Sequence, residues 1–234
     1  MSLNVIPILC NAGFMDNYAY LLTDEESKKS AIIDASEAAP IIKICEEYGV
    51  EPEYIFVTHH HDDHIGGNVE LKEKYGLKIV APLEERELIA GGDIWLADGD
   101  EFVLGSSVAT IIQAKGHTNG HILWYFKNDK KLFTGDVLFN LSIGGLFEGT
   151  PEQMWQTLEK IKALPDDVQF YCGHEYTAHG LQNLPQNDEA KKYLEYVLPR
   201  LKQHLPTVGI DLGLEKKCNP YLRISSLQEF KHYF

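Results

Sequence analysis

Basic residues are scarce in this chain of 234 residues: 21 Lys and Arg stand against 35 Asp and Glu, a formal net charge of -14. Nucleic-acid binders gain affinity by placing Lys and Arg where counterions sat on the phosphate backbone, so no nucleic-acid partner is expected. The same field repels anionic membranes, and it slows anionic substrates unless a local basic patch reverses it. Long apolar runs are missing too. None approaches the roughly 18 residues that span a bilayer, so no membrane association is expected. The N-terminal stretch has no basic start and is interrupted by Asn4 and Pro7, which does not read as a signal peptide. The four cysteines, Cys10, Cys45, Cys172 and Cys218, are far apart and form no Cys-x-x-Cys pair. Neither a disulfide framework nor a thiolate zinc knuckle is suggested, and a reducing, cytoplasmic setting fits. Internal repeats, low-complexity tracts and the Gly-x-Ser-x-Gly elbow of serine hydrolases are absent. What remains is a globular composition, 44% hydrophobic, long enough to bury about 70–75% of its unfolded surface in one domain with a small appendage.

Residues 5–9, 18–23 and 31–34 have strand character and open the fold as a meander. Residues 40–48 are apolar at helical spacing, with Pro40 early and Gly49 at the stop, and predict a helix. A strand over 54–58 is followed by a polar burst, Gly66-Gly67, and a helix over 68–75 ended by Gly76. Further strands are expected at 77–80, 101–104, 108–113, 121–126 and 131–133, with a short helix over 83–89. Thr150-Pro151-Glu152-Gln153 is a capping box with Pro at the first helical position, starting a helix to about residue 163. Residues 168–172 read as the last strand. Beyond residue 175 the character is helical, with a run opening at Asn187 or Asp188 that should kink or restart at Pro199. Strands interspersed with helices suggest an α/β fold with helix-covered sheets. The chain divides into a catalytic domain, 1–175, and a helical C-terminal domain, 176–234.

The polar burst is His59-His60-His61-Asp62-Asp63-His64, imidazoles and carboxylates on a loop after a buried strand, the donor types suited to zinc or another borderline divalent metal. In extended chain His59 and His61 point the same way, so one metal can take both. Asp63 and His64 are displaced far enough to face a second. Three more donors end apolar strands beside glycines: His117, Asp136 and His174. The count matches a binuclear site, with His59, His61 and His117 on one metal, Asp63, His64 and His174 on the other, and Asp136 bridging. His60 alternates away from the metal pair and reads as structural, and His121 as a hydrogen-bonding neighbour. His179, His204 and His232 lack any partner pattern and read as surface residues.

The run Thr58-His59-His60-His61-Asp62-Asp63-His64-Ile65-Gly66-Gly67, with Gly116-His117-Thr118-Asn119-Gly120-His121, Thr134-Gly135-Asp136 and Cys172-Gly173-His174-Glu175-Tyr176, resembles the metallo-β-lactamase fold superfamily. Asp16-Asn17-Tyr18, Gly145-Leu146-Phe147-Glu148-Gly149-Thr150, Tyr176-Thr177 and Asn219-Pro220-Tyr221-Leu222-Arg223 narrow the resemblance to the glyoxalase II, or hydroxyacylglutathione hydrolase, family, over nearly the whole chain. This resemblance implies an αββα sandwich with a small C-terminal helical domain, and hydrolysis of S-2-hydroxyacylglutathione, chiefly S-lactoylglutathione, in methylglyoxal detoxification. It implies two divalent metal ions, zinc first, with iron or manganese also tolerated. It also implies glutathione contacts at Phe147, Tyr176 and Arg223, and a monomer.

Two adjacent metals can share a hydroxide that attacks the thioester carbonyl, and the same metals stabilise the oxyanion. The leaving thiol has a pKa of about 8.5, so no general acid is needed. Asp63 and Asp136 are the catalytic carboxylates on this reading, Asp63 orienting the water or accepting its proton. Three departures bear on substrate affinity: Gly145 stands where relatives commonly carry Lys or Arg, Phe147 where some carry Tyr, and residues 224–227 lack a basic residue that many have. Lys216, Lys217 and Arg223 offer a compensating basic patch. A persulfide dioxygenase with one iron, or another hydrolase of the superfamily such as a lactonase, is the alternative.

Overall fold

The computed structural model describes residues 3–234. The first half builds a six-stranded sheet in chain order: β1 (Leu3–Cys10), β2 (Asn17–Asp24), β3 (Ser30–Ile33), β4 (Tyr54–Phe56), β5 (Lys78–Pro82) and β6 (Ile94–Leu96). The first three strands are the antiparallel meander, while β3 to β6 pair in parallel. Parallel neighbours need long crossovers, and two of them carry α1 (Ala38–Tyr48), α2 (Asp62–Ile65) and α3 (Asn68–Tyr75). α1 and α3 stop at Gly49 and Gly76, both left-handed as a C-terminal cap requires.

A second six-stranded sheet contains β7 (Glu101–Leu104), β8 (Ser107–Gln113), β9 (Ile122–Phe126), β10 (Lys131–Gly135), β13 (Gln169–Cys172) and β14 (Ile210–Asp211), in the order β14-β13-β10-β9-β8-β7. Between β10 and β13 the chain forms a small hairpin, β11 (Leu138–Phe139) and β12 (Ser142–Ile143), and then α4 (Pro151–Lys162). The C-terminal region adds α5 (Thr177–Gly180), α6 (Asp188–Lys202), α7 (Leu212–Cys218) and α8 (Leu227–Phe230). The αββα layering follows from alternation along the strands. Tyr18, Tyr20 and Leu22 of β2 join the large core shared with the second sheet, whereas Ala19 and Leu21 join Ile41 of α1 and Leu71 of α3 on the outer face. Phe56 stacks on Trp124 across the sheets at 4.3 Å.

The capping box at Thr150 forms as expected: Thr150 Oγ1 accepts the Gln153 N–H and Gln153 Oε1 accepts the Thr150 N–H. Three expectations need correction. Residues 83–89 hold only a 3-10 turn, Leu83–Glu85, because the Glu85 carboxylate turns inward to bind Thr118 Oγ1 and the Gly120 N–H. α6 continues through Pro199. Its missing N–H frees the carbonyl of Glu195, an exposed residue where water can take its place. The strand at β13 is not the last, since β14 pairs antiparallel to it from the C-terminal region. Among the described residues no helix is long and apolar enough to cross a membrane.

Candidate metal centre

The strand ends of the two sheets deliver six imidazole or carboxylate side chains to two adjoining nests. In the first, His59 Nε2 and His117 Nε2 lie 3.1 and 3.0 Å from His61 Nδ1. In the second, His64 Nε2 and His174 Nε2 are 3.4 Å apart, and each is within 3.6 Å of Asp63 Oδ2. Asp136 touches both, its Oδ1 3.2 Å from His64 Nε2 and its Oδ2 3.1 Å from His174 Nε2 and 3.5 Å from His117 Nε2. The seven side chains singled out in the sequence are therefore brought together.

The outer nitrogens fix which ring atoms face inward. His117 Nδ1 donates to the Gly145 carbonyl at 2.9 Å, and His174 Nδ1 to the Met15 carbonyl at 2.8 Å. Thr58 Oγ1 donates to Asp34 Oδ2 at 2.7 Å and so accepts from His59 Nδ1 at 3.0 Å. Asp34 Oδ2 also accepts from His64 Nδ1 at 3.0 Å. In its neutral form each of these four imidazoles therefore points an unprotonated nitrogen at its nest. The two lone pairs of neutral His64 and His174, 3.4 Å apart, repel one another unless a cation lies between them, and outer partners of this kind are what hold metal-ligating histidines. The donor set fits a divalent metal, and the chain has a divalent metal-binding site.

Titration behaviour follows from the same packing. Burial, reinforced by neighbouring imidazoles, holds His59, His61 and His117 below their ordinary range, the neutral form a ligand needs. Burial works against charge on His64 and His174 as well, but Asp136, joined by Asp34 at His64 and by the Met15 carbonyl at His174, outweighs it and raises both. Asp136 is held well below the carboxylate range by His64 and His174 despite complete burial. The second nest thus demands positive charge.

Close backbone approach is built in. A Cβ on Gly173 would sit 2.1 Å from Asp136 Oδ1, so only glycine lets that carboxylate enter. His121 Nε2 accepts the Asp136 N–H at 3.2 Å. His60 leaves the nests, as its alternation implies, and lies between Glu85 and Glu148, at 3.1 and 3.2 Å. His179, His204 and His232 are exposed. Of three supporting residues, Asp34, Glu85 and Asn17, the first two carry no local sequence signal. Asn17 lies in a motif of the resemblance, and its Nδ2 donates to both Asp63 O and Asp63 Oδ2.

A cavity of about 590 Å³ opens onto both nests, and Phe147 and Tyr176 line it. Phe147 stands edge-on to His61 and His117, and Tyr176 lies flat on His174 at 4.7 Å. Arg223 is exposed and is not among the lining residues.

The sandwich, with donors converging at the sheet ends, defines a metal-dependent enzyme of the metallo-β-lactamase class. The model of the metallo-beta-lactamase superfamily matches residues 12–174, and that of the hydroxyacylglutathione hydrolase C-terminus matches residues 175–232. Among solved structures, ETHE1 from Myxococcus xanthus superposes with a TM-score of 0.75 at 22% identity, over 98% of this chain and 88% of that one. The BLEG-1 B3 metallo-beta-lactamase superposes with a TM-score of 0.73 at 21% identity, over 94% and 99%. These show the fold. The sequence relatives are nearer: a hydroxyacylglutathione hydrolase of Pelagibacter ubique (strain HTCC1062) is 41% identical over 219 residues, 92% of each chain. That of Rhodopseudomonas palustris (strain HaA2) is 42% identical over 212 residues, 89% of this chain and 83% of the relative. The chain belongs to the hydroxyacylglutathione hydrolase family of this superfamily.

Proposed function

We propose that the protein is a thioesterase that hydrolyses S-2-hydroxyacylglutathione, with S-lactoylglutathione as the type substrate, to glutathione and a 2-hydroxy acid, the second step of methylglyoxal detoxification. The observation that carries this reading is the pair of nests sharing Asp136 at the floor of one cavity. His59, His61 and His117 would hold one divalent ion and Asp63, His64 and His174 a second, with Asp136 between them and zinc as the metal. Two nests favour a binuclear hydrolase over a mononuclear iron oxidoreductase.

Bound there, divalent ions acidify water to near-neutral pKa and polarise a carbonyl oxygen. The chain's own residues do the rest. Asp63, steadied by the Asn17 amide, orients the attacking water and takes its proton. The aromatic walls at Phe147 and Tyr176 seat the thioester over the nests and exclude bulk water. The departing thiolate, with a thiol pKa of about 8.5, needs no protonated acid beside it. Residues 1–175 form the catalytic unit and 176–234 the substrate-side unit of a cytoplasmic monomer. Steady-state hydrolysis of S-lactoylglutathione, with metal content measured on the same sample, tests the reading. Asp136→Ala is expected to bring activity to background and to lower bound metal; full activity in that variant would refute the assignment.

A further inference from the structure

The cavity has an unusual charge balance. Met15, Phe139, Ile143, Phe147 and Tyr176 supply apolar wall, and the charged lining apart from histidine is Asp62, Asp63 and Asp136. Among the described residues no Lys or Arg lines it. Phe147 is 73% exposed and Phe14, next to Met15, 86%. Of the lysines in α7, Lys216 Nζ lies 2.6 Å from both Leu164 O and Asp166 Oδ1, and Lys217 Nζ 3.9 Å from Glu189; neither lines the cavity. Asp63 and Asp136 belong to the nests, so outside them the wall offers an entering carboxylate one further acid, Asp62, and no basic side chain, within a chain of net charge -14.

Resting on the thioesterase reading, we infer that the cavity grips its substrate through apolar contact and at the thioester itself, so that thioesters of small thiols without carboxylates are accepted as readily as glutathione thioesters. A charge-assisted contact to a carboxylate is worth about 10- to 150-fold in affinity. The described cavity walls supply no Lys or Arg to make one.

The test uses one scaffold in two charge states. S-lactoylglutathione and its dimethyl ester differ only in whether the glutathione carboxylates are masked, and S-benzylglutathione and its dimethyl ester form the matching thioether pair for binding. The expected result is that kcat/KM for the diester equals or exceeds that for the free acid, and that the two thioethers bind with similar Kd. A preference for the free acid of about 10-fold or more in either pair would overturn the inference. Gly145→Arg supplies the complementary arm. Its backbone is not left-handed, and a Cβ there meets only the movable Phe147 ring at 3.3 Å. Installing this cation should improve binding of free-acid S-benzylglutathione about 10-fold and leave the diester unimproved; an equal gain for both would count against the inference. If the metal-loaded protein hydrolyses neither thioester, the thioesterase reading fails, while the thioether pair still decides the question of charge.

Discussion

Asp34 accepts three hydrogen bonds beside the nests. Buried, and with φ at +50°, it accepts from Thr58 N, Thr58 Oγ1 and His64 Nδ1. It orients two nest-facing imidazoles, one directly and one through Thr58. Asp34→Ala should lower divalent-metal affinity about 10- to 100-fold, measured by competition with a chromophoric chelator; unchanged affinity would remove Asp34 from this role. Glu215 has a different character. Fully buried and bound by Leu141 N, Tyr193 Oη and Asn219 Nδ2, its carboxyl is pushed by burial from 4.5 up to about 7. The folded state then binds a proton that the unfolded state releases, so the associated stability is full below about pH 4.5 and is lost as pH rises through 7. That loss is of order 3 kcal/mol. Thermal unfolding of Glu215→Gln should depend less on pH between 5 and 8 than that of the parent chain. The convergence of the nest side chains was legible because His and Asp are concentrated after strands in patterns that solvated loops rarely repeat. Their supports were not, since Asp34 and Asn17 are common residue types whose partners lie 30 and 46 residues away.

At the level of elements, long patterned segments were readable and short ones were not. α3 and β7 fall where alternation and terminal glycines put them, and the capping box fixes the start of α4. β6, β11, β12 and β14 have two or three residues each, too few for a period, and exist because a neighbouring strand offers hydrogen bonds. The contact between α4 and the loop that carries His117 is also invisible in sequence. Gly116 has φ at +146°, and a Cβ there would lie 2.9 Å from Met154 Cα. Gly116→Ala should therefore cost about 1–3 kcal/mol in denaturant unfolding and displace His117 from its nest. Wild-type stability with intact metal binding would contradict that packing argument.

Across the whole molecule, the C-terminal region is bound into the sandwich by buried polar contacts. β14 extends the second sheet. Glu175 accepts from Tyr18 Oη and Thr207 N, Asn140 donates to Thr177 and Thr207, and Asn219 donates to the carbonyls of Phe139 and Ser142. Removing residues 176–234 would strip partners from buried donors and acceptors that water cannot reach. The intact chain should accordingly unfold in one calorimetric transition. Metal should raise its midpoint, by an amount corresponding to about 2.7 kcal/mol at a free metal concentration 100 times Kd. Two separated transitions would show that the halves are energetically independent.

Trp124 gives this architecture a further use. Its indole stacks on Phe56 and donates Nε1–H to the carbonyl of Val57, two residues before His59. A fluorophore is thus seated against the strand whose end presents a nest imidazole, screened from solvent, whereas Trp95 and Trp155 are partly exposed. Light from the molecule's own interior can therefore report, without a label and in real time, how firmly the end of β4 is held.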